Sequence, residues 1–156
     1  MIRAAQIRDI LDIIQLIHAS IRSCSLDHQQ HETRIQLYLE DITQEKLLLW
    51  MHYNDSWVYV VNGQILGFIL INDYGKILLH YVSPETQQLG IGKSLLFHII
   101  KQAQQQQRQQ ISVDSTQTAL AFYQKHGFKI HQPMSEKPAP LRLIHSLMFE
   151  AQYSLT

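Results

Sequence analysis

Gln87-Gln88-Leu89-Gly90-Ile91-Gly92-Lys93-Ser94 is the stretch of this chain best spaced to bind an anion. Before it, the apolar run Ile77-Leu78-Leu79-His80-Tyr81-Val82 reads as a strand. Ser83-Pro84-Glu85-Thr86 breaks that strand, because proline has no N–H and fixes its own φ. After it, Ser94 to Ile100 begins a long helical pattern. The first N–H groups of a helix lack partners within the helix and carry the positive end of its dipole. A glycine-bearing turn at that point therefore faces a phosphate or pyrophosphate. Three phosphate-binding patterns compete for these residues. The dinucleotide pattern G-x-G-x-x-G/A fails, because Leu95 stands at its third position. The P-loop G-x-x-x-x-G-K-[ST] finds its end in Gly92-Lys93-Ser94, but its first glycine falls on Gln87. The third pattern, [Gln/Arg]-x-x-Gly-x-[Gly/Ala], is met by Gln87, Gly90 and Gly92.

The elements that must position this loop follow from periodicity and turn residues. Ile2 to Ala4 is a short strand, and Asp9 to Ile21 carries Ile10, Ile13, Ile14, Ile17 and Ile21 at helical spacing. Ser23 to Gln30 is polar and reads as a loop. Thr33 to Met51 repeats the helical pattern through Ile35, Leu39, Ile42, Leu47 and Trp50, in one piece or two. Trp57 to Val61 is β-branched and aromatic, Asn62-Gly63 is a hairpin turn, and Gln64 to Ile71 returns as the partner strand. Asp73-Tyr74-Gly75 turns the chain into the strand ending at Val82. The helix after the loop runs into Gln104-Gln105-Gln106-Gln107, a solvated end or an interaction tail. Ile111 to Asp114 is a strand and Ala119 to His126 a helix that Gly127 terminates. Phe128 to His131 and Leu143 to Glu150 are final strands, joined by a loop with Pro133, Pro138 and Pro140. No linker or repeat divides residues 1–156, so one α/β domain with a mixed central β-sheet flanked by helices is expected.

The glycine loop, the segment Thr118-Ala119-Leu120-Ala121-Phe122-Tyr123-Gln124-Lys125-His126-Gly127-Phe128 and the start Ile2-Arg3-Ala4-Ala5 with Asp9 and Ile13 stand in an order and spacing that resemble the GNAT superfamily of acyl-CoA N-acyltransferases. The resemblance spans nearly the whole chain, strongest from Trp57 to Phe128. It implies a sheet with splayed central strands and acetyl-CoA as cosubstrate. Tyr81 and Val82 would present backbone to the pantetheine arm, with Ile111 to Asp114 as the opposed strand. Gln87, Gln88, Leu89, Gly90, Ile91, Gly92, Lys93 and Ser94 would hold the pyrophosphate. It also implies that Tyr123 is the general acid at the thioester sulfur. Its phenol, with an ordinary pKa of about 10, keeps its proton near neutrality. The bland alternative is a helix tyrosine packed in the core.

The base is less determined. Strict alternation puts Lys76, Leu78, His80 and Val82 on one strand face. Relatives use an acid or histidine there, at positions that fall on Lys76 and Leu78, and Leu78 takes no proton. His80 is the candidate base, against an ordinary core histidine; Asp114, His145 or a water relay are the other routes. An N-acetyltransferase acting by direct transfer to a primary amine is expected, against a CoA-binding sensor or partner-binding module with little catalysis. The acceptor is a small-molecule amine or a peptide or protein amine. Asp27, Glu32, Glu40 and Asp41 are either recognition groups for a cationic amine or solvated charges.

Composition excludes several classes. The 156 residues are 46% hydrophobic, with 13 Lys plus Arg against 13 Asp plus Glu. Zero formal charge disfavours nucleic acid as a partner. The lone Cys24 permits no internal disulfide and fits a reducing compartment. No apolar stretch is long enough to span a membrane, and charges in the first dozen residues oppose a signal peptide, so a cytoplasmic location without membrane partner is expected. Of nine histidines, His28 and His31 stand closest but lack further ligands at a recognised spacing, so no metal is assigned. A homodimer is compatible with the chain.

Overall fold

The computed structural model describes residues 1–23, 41–115, 119–132 and 141–147. The chain opens with strand β1 (Ile2–Ala4), tied by charge to the helix after it. Asp9 is buried and accepts from Arg3 Nη1 at 2.7 Å and Nη2 at 3.0 Å, and from the Gln6 N–H at 2.8 Å. The Arg3 guanidinium holds the Asp9 carboxyl below its ordinary range, more strongly than burial raises it. Asp9 closes a 3-10 turn and hands the chain to helix α1 (Ile10–Ser23). The buried stripe is Ile10, Ile13, Leu16, Ile17 and Ile21. Leu16 takes the place expected for Ile14, because the i, i+3, i+4, i+7, i+8 row from Ile13 passes through residues 16, 17, 20 and 21.

Helix α2 (Gln44–Tyr53) is a separate piece of the expected 33–51 helix. Thr43 caps it, its Oγ1 accepting from the Lys46 N–H at 3.3 Å. Residues 33–40 lie outside the described residues. Strands β2 (Asp55–Val61) and β3 (Gln64–Ile71) form the expected hairpin, with Asn62 and Gly63 at φ of 50° and 76°. Strand β4 (Lys76–Val82) pairs antiparallel with β3, and helix α3 (Ile91–Gln105) crosses over to strand β5 (Gln110–Ser115). Helix α4 (Leu120–Lys125), strand β6 (Lys129–Gln132) and strand β7 (Leu141–Ser146) complete the described fold. Among the described residues the sheet has seven strands in the order β1-β2-β3-β4-β5-β7-β6. β4 and β5 are parallel and the other pairs antiparallel, so the sheet is mixed, as expected.

Two cores flank this sheet. On one face α3 packs Leu95, Leu96 and Ile99 against Ile69, Ile77, Ile111 and Leu143. On the other, α1 and α2 pack Ile13, Ile17 and Leu47 against Val58, Phe68 and Leu70. Gly67 in β3 sets how closely α3 approaches: a Cβ there would sit 2.7 Å from Ile91 Cγ2 and 2.8 Å from Leu95 Cδ1. The glutamine tract ends α3 at Gln105, and Gln107 turns the chain at φ 60° among exposed neighbours.

Two irregularities of β4 set where its edge and side chains point. The β4–β5 ladder contains Lys76–Ser112 and Ile77–Val113 and then stops, although both strands continue. The central strands therefore part, as the resemblance implied. The second irregularity is a register jump opposite Leu70 and Ile71, which pair with Leu79 and Ile77 and skip Leu78. This bulge breaks the strict alternation expected for β4. Ile77 joins the α3-side core with Val82, Leu79 and Tyr81 face α1, and the extra residue Leu78 is 40% exposed. Lys76, whose ammonium reaches Asp114, therefore does not share the face of Ile77 and Val82.

Candidate active site

Residues Pro84–Leu89 wind into a 3-10 turn, and Gly90 at φ 76° reverses the chain into α3. That conformation is open to glycine at no steric cost. The helix starts at Ile91, three residues before the expected Ser94, because the Gly90 carbonyl already accepts from the Ser94 N–H at 3.0 Å. The N–H groups of Ile91, Gly92 and Lys93 precede that first helical bond, and no side chain caps them. These three amides make no helical bond of their own. Ser94 spends its N–H on the helix, so its amide leaves the set expected from the sequence. Leu89 and Gly90 are exposed at the loop's tip, and the Lys93 ammonium lies 5.4 Å from the Phe97 ring centre. Gln87 and Gln88 contribute backbone to the turn; their side chains lie outside what is described.

The parted edge of β4 leads to this loop. The Ser83 N–H donates to the Leu66 carbonyl at 2.9 Å, extending the β3–β4 ladder by one bond. Hydrogen-bonding direction alternates along a strand, so Tyr81 and Leu79 also face β3. His80 and Val82 present their N–H and C=O groups to the gap beside β5. That is a row of backbone groups shaped to take an extended ligand arm. The Tyr81 side chain faces the α1 core.

His80 and Tyr123 meet at this gap. The His80 Nδ1 lies 2.8 Å from the Tyr123 hydroxyl and its Nε2 3.1 Å from the Gly92 carbonyl. At Gly92 a Cβ would stand 3.2 Å from Val82 Cγ2, a tight contact, and 3.7 Å from His80 Nε2, an ordinary one, so α3 lies close against β4 here. Burial holds His80 neutral, its pKa pulled from 6.5 to about 4, with the Gly92 carbonyl opposing only part of that shift. Tyr123 is only 4% exposed, and burial, aided by the nearby Tyr81 phenol, raises its pKa above the ordinary value. It therefore carries its proton at any physiological pH. Phe122 stands edge-on to the histidine at 5.8 Å between ring centres. Sequence reasoning missed both Gly92 as a partner of His80 and Phe122 as its wall. The adjacent Phe-Tyr pair was the available signal for the second.

The remaining candidates fall elsewhere. Asp114 takes Lys76 Nζ at 2.8 Å on one oxygen and Arg142 Nε on the other. Burial raises its pKa, but the two cations outweigh burial and hold it below the ordinary carboxylate range, which makes it a poor proton acceptor. His145 is buried beneath Gly127, whose Cβ position would be 2.9 Å from Nε2, and packs edge-on to Phe128 at 5.3 Å. It belongs to the core behind α4. Asp41 is a surface group paired with Lys46 at 3.0 Å. Cys24, Asp27, His28, His31, Glu32 and Glu40 lie outside the described residues. Among the described residues, no three His, Cys, Asp or Glu side chains gather as a metal site requires. Nor is any described helix long and apolar enough to cross a membrane.

A mixed sheet whose one parallel pair parts toward an uncapped, glycine-turned helix start defines the acyl-CoA N-acyltransferase fold. The comparisons agree. A family model described as the acetyltransferase (GNAT) domain matches residues 25–138, and the chain belongs to this family, whose members carry acetyl groups from acetyl-CoA to amines. The peptidyl-lysine N-acetyltransferase YiaC of Escherichia coli strain K12 is 31% identical over 78 residues, 48% of this chain and 50% of that protein. The match thus spans about half the length of that curated relative. Among solved structures, the PaiA N-acetyltransferase of Thermoplasma acidophilum in complex with coenzyme A superposes with a TM-score of 0.82 at 20% identity, covering 94% of this chain and 98% of that one. A GCN5-related N-acetyltransferase from Rhodopseudomonas palustris gives 0.84 at 18% identity, covering 94% of each chain. At those identities the likeness is one of fold.

Proposed function

We propose that residues 1–156 act as a single N-acetyltransferase domain that moves an acetyl group from acetyl-CoA to a primary amine by direct transfer. One observation carries the reading. The β4–β5 ladder stops after two pairs, and the freed edge of β4 runs from the level of the Tyr123 hydroxyl to the unbonded amides of Ile91, Gly92 and Lys93. Backbone donors in that order suit a pantetheine arm followed by a pyrophosphate, whose charge the helix dipole favours. Tyr123, protonated and in contact with His80 beside the gap, supports the reading as the group that handles the proton at the thioester sulfur. The relative that acts on peptidyl-lysine makes a lysine side chain the first acceptor to try. A cytoplasmic setting, where acetyl-CoA and amines coexist, fits the chemistry.

Thermal melting and turnover test this together. Acetyl-CoA at about 100 times its dissociation constant stabilises the native state by roughly 2.7 kcal/mol. Melting temperature should rise with acetyl-CoA and stay unchanged with ATP and magnesium. A panel of amines including lysine peptides should then release free thiol. Stabilisation by ATP alone, or no thiol release with any amine, would reject the proposal.

A further inference from the structure

We infer that His80 stores the proton in transit during acetyl transfer, acting through Tyr123 in a relay anchored on the Gly92 carbonyl. The inference rests on the transferase reading above. A carbonyl only accepts hydrogen bonds, so the contact of 3.1 Å to Gly92 requires hydrogen on His80 Nε2. In the neutral ring Nδ1 then holds a lone pair, and the 2.8 Å contact is a bond donated by the Tyr123 hydroxyl. A backbone atom thus fixes both the tautomer and the direction of the tyrosine proton.

This geometry rules out the simplest expectation for His80. Neither ring nitrogen has a free lone pair, so His80 cannot take a proton from an amine directly while the Tyr123 bond stands. The tyrosine oxygen can. With its own proton held toward Nδ1, it keeps lone pairs for another donor. As the amine nitrogen bonds to the acyl carbon, its proton passes to the Tyr123 oxygen and the tyrosine's own proton passes to Nδ1. The C–S bond breaks with its electron pair left on sulfur. The stored proton then returns through Tyr123 to that sulfur. Starting from the neutral amine, which has already given its extra proton to solvent, one proton moves from nitrogen to sulfur and no other reactant is needed.

The ring suits storage because both of its bonds survive protonation. An imidazolium donates from both nitrogens, to Gly92 and to Tyr123, without turning. Burial also makes the store easy to empty. A ring titrating at about 4 yields its proton readily to a thiolate whose conjugate thiol titrates near about 8.5. Gly92 is also one of the three unbonded amides of the α3 start, so a ligand that orders that turn orders the relay's anchor.

The test joins spectroscopy with paired variants of the full chain. The 15N shifts of His80 at pH 7 should show the tautomer with hydrogen on Nε2; hydrogen on Nδ1 would overturn the relay. His80→Asn keeps an oxygen where Nδ1 stood, able to accept from Tyr123 but unable to store a proton. It should lower turnover by about 10²-fold or more, with a melting temperature lower by a few degrees and the acetyl-CoA KM within about threefold. Because the two residues act as one unit, the double variant Tyr123→Phe/His80→Asn should be no slower than the slower single variant. Losses that multiply, or normal turnover in His80→Asn, would refute the relay while leaving the transferase reading intact. A wild-type protein that neither melts higher with acetyl-CoA nor releases thiol would remove both.

Discussion

Replacing Tyr123 by phenylalanine deletes one oxygen and keeps a ring that packs edge-on to Phe122 and Phe128, at 5.2 and 5.3 Å between centres. The loss leaves His80 Nδ1 without the donor now 2.8 Å away. A stranded buried partner costs about 1–3 kcal/mol. Small domains are stable by about 5–15 kcal/mol, so even the least stable case retains about 2 kcal/mol and roughly 3% unfolded chain. Unfolding would therefore lower activity by a few per cent. A positioned proton donor contributes about 10²- to 10⁴-fold, and the two effects differ by orders of magnitude. The expected result is turnover down at least about 10²-fold, a melting temperature lower by a few degrees, and acetyl-CoA affinity nearly unchanged, because the amides of Ile91 to Lys93 are untouched. Thiol release, melting and acetyl-CoA binding measured on one preparation separate these quantities. Turnover within about threefold of wild type would remove Tyr123 from the chemistry and assign its hydroxyl to the core.

Gly67→Ala should cost about 1–3 kcal/mol, since the new Cβ meets Ile91 Cγ2 at 2.7 Å and Leu95 Cδ1 at 2.8 Å and forces α3 away from the sheet. Acetyl-CoA binding should weaken with it, because Ile91 opens the helix start; an unchanged melting temperature would show that α3 does not lie so tightly on β3. Stability should also fall between pH 6.5 and 4 because of His80. Its pKa is depressed to about 4 in the folded chain, so the unfolded chain binds the proton first, and the contribution is fully present above 6.5 and lost as pH falls through about 4. The full effect is of order 3 kcal/mol. The Asp9 and Asp114 carboxyls, both held below their ordinary value, stay ionised in the folded chain over that window. Melting of wild type against His80→Asn checks this: parallel curves from pH 7.5 to 4.5 would show that His80 is not kept neutral by burial.

Local sequence determined whatever depends on a few adjacent residues. Asn62-Gly63 specified its turn because both residues tolerate positive φ, and β2 and β3 followed from their β-branched content. Gly90 and Gly92 marked a glycine-turned helix start after a strand, because backbone N–H groups need no particular side chain to be exposed there. The stripe of α1 was legible apart from the exchange of Ile14 for Leu16, since a row of large apolar residues fixes the buried side only to within a neighbouring position. Tertiary structure decided the site. The bulge at Leu78 depends on how β3 and β4 pair, and it moves Ile77 onto the face of His80, which no alternation rule applied to β4 alone reports. The start of α3 at Ile91 depends on Gly90 adopting φ 76°, which apolar periodicity does not encode. In sequence Asp114 has the chemistry of a base, but the register of β5 with β4 and β7 surrounds it with Lys76 and Arg142 and spends it as a counter-ion. His80 and Tyr123 are 43 residues apart in sequence. Their hydrogen bond exists because the fold brings β4 and α4 together, with the Gly92 carbonyl at the start of α3 holding the other side of the ring.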